Sequence, residues 1–329
     1  MRRRDLLGFL AGGLALAPQA TRSQPRLRRV GVLVGTGPEQ QGQWRKDAIR
    51  EGLQPYGWTE GQTIEVIYRW AEGRGEDVVR RYADELIATQ PDVLFGTNTL
   101  AVKGLAAAAS SIPIVFTNVT DPVGSGFAET LPRPGGNITG FTDMDPAIAG
   151  KWVELLKEVA PRIEQVAMMF NPETAPFAKP YFRAFENAGQ QYGLSIRYAT
   201  VETKDQYPAT IQRCSQPPLT GLIVIDDGLF NRNKDRVIGL ATEHRVPAIY
   251  NHAAYVRAGG LISYGVDIVA LYRQTMSYIH RILSGEKPGE LPIQMPTRYL
   301  TTVNTKAAEA IGIRLSASLL ARADDLVEG

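Results

Sequence analysis

The chain has one cysteine, Cys214, and three histidines among its 329 residues. A single thiol excludes an internal disulfide and leaves no cysteine cluster for a metal. His244, His252 and His280 form neither H-x-x-H nor H-E-x-x-H with one another. Each reads as a surface or packing residue, and only His252 follows a strand that ends near a predicted cleft. The glycines of VGTGPEQQG stand at 35, 37 and 42, off the spacing of a dinucleotide fingerprint. There is no Walker A sequence and no G-x-S-x-G elbow. The glycine-rich GSG at 124–126 follows Pro122 and reads as a turn. No set of acid, base and nucleophile assembles, so the chain is read as a non-enzyme without cofactor or metal.

Excess charge of one sign is also missing. The formal net charge is +2, but Arg2, Arg3, Arg4 and Arg22 lie in the first 24 residues with only Asp5 against them. Without that segment the balance becomes −1, which gives no footprint for nucleic acid. The segment itself, MRRRDLLGFLAGGLALAPQATRSQP, has an Arg-rich start, an apolar run from Leu6 to Ala17 and a polar tail with small residues. That order predicts a secretory signal peptide over residues 1–25. The run is too short to span a bilayer comfortably. The arginine pair permits a twin-arginine export signal, and the mature chain is expected to start between 18 and 28. Cys214 lies far from that start, so no lipid anchor at a processed N-terminal cysteine is indicated. A periplasmic location follows from this reading.

From residue 28 onward, strand-like apolar runs alternate with helix-like segments. RRVGVLVG (28–35), TIEVIYRWA (63–71), PDVLFG (91–96) and IPIVFT (112–117) read as strands. Between them, 43–56, 77–90 and 101–110 read as helices, the first with Trp44, Ala48, Leu53 and Tyr56 on its inner face. After GGNITGFTDMD (135–145) a second series begins. Its helices are expected at 151–161, 180–193 and 236–245, its strands at 165–171, 195–201, 219–226 and 246–251. GLISYGVD (260–267) leads into a helix over 268–284, followed by a strand at 299–304 and a short helix at 306–312. Two successive βαβ series predict an α/β fold of two lobes, each with a parallel sheet.

Ligands of open parallel sheets collect beyond the carboxyl ends of the strands. The residues there are short and polar: Thr36, then Thr97 and Asn98, then Thr117, Asn118 and Asp121 in the first series. The second series offers Asn171, Asp226 with Asp227, and Asn251, and the late segment Tyr264 and Asp267. Any one of these residue types serves equally well as a turn or helix cap. Their recurrence at the strand ends of both series points to a cleft. Thr, Asn and backbone N–H groups can hold a carboxylate there, and Asp226 or Asp267 can accept from an ammonium or hydroxyl. The Asp226-Asp227 pair with His252 keeps a small-molecule enzyme on the same scaffold open as an alternative.

Several runs carry a family likeness: IPIVFTNVTDPVGSGF with RPGGNITGF (133–141), KWVELLKEVAP, EHRVPAIY (243–250) and AGGLISYGVD (258–267). YRQTMSYIHRILSGEKPGELPIQMPTRYLTTVNTKAAEAIGI and LLARADDLVE (319–328) extend it. In these the chain resembles the ABC-transporter substrate-binding proteins of the tryptophan/tyrosine type, over nearly all of its length past residue 28. The resemblance implies a type I periplasmic-binding-protein fold: two Rossmann-like lobes joined by a multi-segment hinge. Lobe 1 would comprise 28–142 plus about 266–288, and lobe 2 143–265 plus about 289–329. It also implies a monomeric receptor that closes on a small carboxylate-bearing solute, such as an amino acid or aromatic acid, and delivers it to a membrane permease. Carried onto this sequence, the contacts would come from Thr36, Thr97, Asn98, Thr117, Asn118 and Asp121 of one lobe and Asn171, Asp226 and Asn251 of the other. Tyr264 and Asp267 would lie at or near the hinge. A sensory subunit would use the same residues.

Overall fold

The computed structural model describes residues 26–35, 42–143, 145–173, 175, 178–225 and 228–328. The expected signal peptide, Thr36 and Asp226 lie outside the described residues. The first part of the chain runs β1 (Arg28–Val34), α1 (Gln43–Leu53), β2 (Ile64–Trp70), α2 (Glu76–Ala88), β3 (Val93–Gly96), α3 (Thr99–Ala108), β4 (Ile114–Val119) and β5 (Ile138–Thr142). The second runs α4 (Ile148–Val159), β6 (Gln165–Phe170), α5 (Lys179–Tyr192), β7 (Ser195–Thr200), α6 (Tyr207–Cys214), β8 (Thr220–Val224), α7 (Gly228–Arg232), α8 (Lys234–Glu243), β9 (Ala248–Tyr250), α9 (Ala253–Arg257) and β10 (Ile262–Val266). The chain ends with α10 (Ile268–Leu283), β11 (Tyr299–Asn304), α11 (Thr305–Ala310), α12 (Ala317–Arg322) and β12 (Asp325–Val327).

Two sheets result, one in each lobe. The first has five parallel strands in the order β2-β1-β3-β4-β5. The second has seven in the order β12-β11-β10-β9-β8-β6-β7, parallel throughout except for the antiparallel pair β10–β11. Helices cover both faces of a parallel sheet, which is why β3 and β8 are buried at every position and show no alternation.

The helices follow from spacing and end chemistry. In α2, Val79, Ala83 and Leu86 recur at helical period and are buried, while Glu76 and Asp77 sit in the first turn, where the helix dipole favours acids. In α1, Ala48 and Leu53 are buried as the pattern requires, but Tyr56 is 40% exposed. Residues 54–56 tighten into a 3-10 turn that ends in left-handed Gly57, and this rotates Tyr56 away from the core onto the ring of His280, 4.4 Å between centroids. A second departure is β5. The segment after which the second series begins has no expected strand of its own, and it supplies the fifth strand of the first sheet, with Ile138 opposite Ile114.

The chain passes between the sheets three times. Residues 143–147 join β5 to α4, and Asp267 alone joins β10 to α10. The third passage is 295–298, between Gln294, whose N–H donates to the Gly140 carbonyl at 3.0 Å, and β11. Although α10 follows a strand of the second sheet, it packs on α1 and the first sheet. Leu271, Met276 and Ile279 share a core there with Ile49, Leu53 and Phe95. Gly52 makes this approach possible, because a Cβ at that position would stand 2.7 Å from the Arg273 carbonyl oxygen. Each fully buried aliphatic side chain in this seam contributes about 1.5–3 kcal/mol.

Candidate functional site

The one-residue link at Asp267 brings the carboxyl end of β10 beside the first lobe, and Val266, Ile268 and Val269 pack against that lobe's core. Two of the crossings thus start at the carboxyl ends of strands, one in each sheet, β5 and β10.

On the first lobe, three of the expected residues have structural work. The Thr97 hydroxyl accepts the Gly35 N–H at 3.3 Å and meets the Tyr272 hydroxyl. Asn98 caps α3, accepting the Ala101 N–H at 2.9 Å. Asp121 accepts the Gly124 N–H at 2.7 Å and so shapes the turn after β4. Thr117 and Asn118 differ from these. Thr117 Oγ1 and Asn118 Oδ1 are buried and have no hydrogen-bond partner among the described residues. Asn118 adopts φ +59, and the β4–β5 register slips between Thr117 and Val119. A left-handed residue in a bulge turns its side chain out of the alternation of the strand, and asparagine tolerates that conformation better than most.

Beside these lies a group that the strand-end pattern did not indicate. The Arg45 guanidinium stacks over Trp44 at 4.4 Å and contacts the Tyr272 hydroxyl, and its Nε is buried without a partner among the described residues. Trp70, at the carboxyl end of β2, leaves its indole N–H in the same condition.

On the second lobe, Asn171 is 2% exposed; its Oδ1 accepts the Glu173 N–H at 2.8 Å and its Nδ2 donates to the Glu202 carbonyl at 3.2 Å. It organises the loop after β6. Asn251 and the first crossing instead enclose a small cavity of about 20 Å³, lined also by Asp143, Trp152, Tyr181, His252 and Gly265. That volume suits one ordered water. Asn251 Oδ1 and Tyr181 Oη are buried with no partner among the described residues, as is Tyr299 Oη nearby.

Aromatic rings frame this corner. Trp152 stacks on Tyr181 with centroids 5.8 Å apart, and Tyr264 stacks on Tyr299 at 5.5 Å. The Trp152 Nε1–H donates to the Tyr264 carbonyl at 2.7 Å and ties the two pairs together. Burial, then the neighbouring Asp143 and Asp145 carboxylates, pushes the Tyr181 phenol far above its ordinary value. Burial, then Asp145, Tyr264 and Asp143, raises Tyr299 to about 12. Both phenols keep their protons at neutral pH and are available as donors. Asp267 accepts the Ala270 N–H at 3.0 Å as the cap of α10, and its other oxygen meets Arg298 Nε at 3.3 Å. The carboxylates that act on the two phenols are thus those of the first crossing, Asp143 and Asp145.

Of the residues expected from the sequence, Thr117, Asn118 and Asn251 present unpartnered polar atoms, and Tyr264 supplies a ring to the corner. Arg45, Asp143, Asp145, Trp152, Tyr181 and Tyr299 were not anticipated. The aromatic residues looked like core positions of helices and strands, and the two acids fell in a connecting loop. Among the described residues no group of three or more His, Cys, Asp or Glu is placed to hold a metal ion, and no helix is long and apolar enough to cross a membrane.

Comparison with known proteins gives a consistent result. The family model for ABC transporter substrate binding proteins matches residues 40–327. A tyrosine-binding protein of Clostridioides difficile (strain R20291) is 22% identical over 269 residues, 82% of this chain and 76% of that protein. Among solved structures, an ABC domain in complex with L-Trp from Streptococcus pneumonia superposes with a TM-score of 0.79 at 24% identity, covering 92% of this chain and 100% of that one. A conserved domain protein from Vibrio cholerae gives 0.78 at 28% identity, with the same coverages.

Proposed function

The chain belongs to the family of ABC transporter substrate-binding proteins, and from that premise we propose that it is an extracytoplasmic receptor for a small zwitterionic or carboxylate-bearing solute, held between its two lobes and handed to a membrane permease. One observation carries this reading. Unpartnered buried polar atoms lie at strand ends of both lobes, Asn118 Oδ1 in the first and Asn251 Oδ1 in the second, and stacked aromatic rings adjoin Asn251. Buried polar groups without partners cost about 1–3 kcal/mol each, and a ligand that satisfies them recovers that cost as affinity.

The charges suggest how an amino acid would lie. Arg45, with Thr117 and the Asn118 side chain, would take the carboxylate, since a guanidinium binds it through two parallel hydrogen bonds. Asp143 or Asp145 would answer the ammonium. The rings of Trp44, Trp70, Tyr264 and Tyr299 would cover an apolar or aromatic side chain. A tyrosine-binding relative and an L-Trp-bound structural neighbour support that choice of solute class. Closure would turn on the three crossings, with lobe 1 formed by 28–142 and 268–294, past the expected limit of about 288 because Leu291 and Ile293 pack in its cores, and lobe 2 by 148–266 and 299–328. The N-terminal segment, read as an export signal, supports a periplasmic location for this receptor, which would act as a monomer.

Calorimetry of the purified chain against the protein amino acids and simple aromatic carboxylates, with scattering to follow compaction, tests the reading. One solute should bind in a one-to-one ratio and shrink the particle, and N118A and R45Q should each weaken it at least tenfold. Absence of binding by every candidate, or binding untouched by both substitutions, removes the basis of the proposal. A ligand recovered chemically altered after long incubation would favour an enzyme instead.

A further inference from the structure

A second hollow lies at the opposite pole of the second lobe. Strands β6, β8 and β9 are parallel, so their amino ends share one edge, away from the edge that carries Asn171 and Asn251. At that edge Ile163, Leu219 and Pro247, each just before one of these strands, line a groove of about 540 Å³. Its floor is apolar: Val159, Ile163, Cys214 and Ile311 are between 1% and 9% exposed. Leu219, at 43% exposure, is one of the few large hydrophobic side chains left in solvent. Such a volume falls within the usual range of small-molecule pockets.

The rim is cationic. Arg162, Arg245, Arg314 and His244 line the same groove. Several surface arginines meet carboxylates, as Arg69 does Glu85 at 2.6 Å and Arg322 does Glu158 at 2.6 Å. Among the described residues, the guanidinium groups of Arg162, Arg245 and Arg314 have neither an ion-pair nor a hydrogen-bond partner. Part of this basicity has a local origin. Helices α4, α6, α8 and α11 all end at this edge, and each C-terminus carries at most roughly half a unit of negative charge. Lys157 Nζ already donates to the Pro161 and Ile163 carbonyls at the α4 end. The four ends therefore offset at most about two of the three guanidinium charges and leave an excess of at least about one. The helix ends explain why cations gather here; they do not explain an apolar hollow between them.

We propose that this basal groove is a second ligand site, independent of the cleft between the lobes, for a small amphiphilic monoanion. An oxyanion head, carboxylate or phosphate, lies among Arg162, Arg245 and Arg314, where planar guanidinium groups bind such oxygens well. The apolar body lies along Ile163, Leu219 and Ile313. The charge excess favours an anionic head, and the exposed Leu219 accounts for the apolar part.

Titration calorimetry of the whole chain with octanoate and with octyl phosphate, below their micellar concentrations and with octanol and octylamine as controls, tests this. One of the two anions binds one-to-one, at least tenfold tighter than octanol, and the tighter of the two identifies the head. The triple variant R162Q/R245Q/R314Q weakens it at least tenfold, while N118A, which alters the cleft, leaves it unchanged. Should the triple variant fail to fold, hydrogen exchange of the unaltered chain provides the second readout. The anion then slows exchange at 160–165, 244–248 and 311–314 and leaves 117–120 as it was. Loss of binding in N118A, no saturable binding of either anion, or equal affinity for octanol overturns the proposal. So does co-sedimentation with phosphatidylglycerol vesicles in place of one-to-one binding, which would make this edge a membrane-facing surface. A failure here leaves the cleft reading intact, since that rests on N118A and R45Q.

Discussion

Asp267 and Arg298 are joined twice: the Asp267 N–H donates to the Arg298 carbonyl at 3.1 Å, and Arg298 Nε stands 3.3 Å from Asp267 Oδ2. These are the linking residue of the second crossing and a residue of the third. The pair extends the antiparallel β10–β11 ladder by one step beyond the Val266–Tyr299 register, so the two crossings form one ribbon.

Two roles of Asp267 can be separated by substitution. D267N keeps a good helix cap and loses only the ion pair. Because the Arg298 side chain is 67% exposed, that loss should cost under about 1 kcal/mol. D267A removes the cap as well and should cost about 1 kcal/mol more. Urea unfolding of the two variants measures the difference, and equal midpoints would contradict the capping role.

Asn118 combines a left-handed backbone with an unpartnered side-chain oxygen, and two variants divide these. N118G relieves the backbone and should leave stability within about 0.5 kcal/mol while weakening solute binding at least tenfold. N118V restores a branched Cβ at φ +59 and should destabilise by about 1–2 kcal/mol. Thermal melts beside solute titrations check both. A stable N118V would mean that the bulge relaxes.

Gly265 faces the Asn251 backbone so closely that a Cβ would stand 1.7 Å from that carbonyl oxygen. G265A must push β10 away from the loop after β9 and should both destabilise the chain and distort the corner lined by Asn251, His252 and Trp152. Loss of solute binding greater than that of N118A, with a Tm lowered by at least about 2 °C, is the expected outcome. Wild-type affinity in G265A would show that this corner does not contact the solute.

Burial raises the phenols of Tyr181 and Tyr250 well above their ordinary value of 10.0. In the unfolded chain they release protons near pH 10, while in the folded chain they hold them. Their contribution is therefore complete below pH 10 and is lost as pH rises, at about 1.4 kcal/mol per pH unit for each residue. Urea midpoints between about pH 9 and 11 should fall, and Y250F should flatten the decline. A stability that rises over this range would refute the sign.

The alternation of strands and helices, and the polar tips of the strands, could be read from the chain because each depends on local spacing. What defines the corner depends on crossings. Trp152 and Tyr181 sit at helical positions indistinguishable from core, and only the return of β10 and β11 beside them makes them walls. Asp143 and Asp145 read as connector residues until the connector proves to be a crossing. Thr97, Asn98 and Asn171 show the converse: their residue types suit contact with a solute, but backbone N–H groups nearby already occupy them. β5 goes unrecognised as a strand for a related reason, since ITGFT holds two threonines and a glycine and carries little strand signal until Ile114 is found opposite Ile138.

The position of α10 also constrains how the molecule comes into being. The first sheet is complete at Thr142, yet the helix that seals Ile49 and Leu53 does not begin until Ile268. During vectorial synthesis or export the early half must wait, its apolar flank uncovered, while the whole of the second lobe emerges. A break between the two segments parts the first sheet from the helix that covers it, so the first lobe is a partner whose last piece is always delivered by the second.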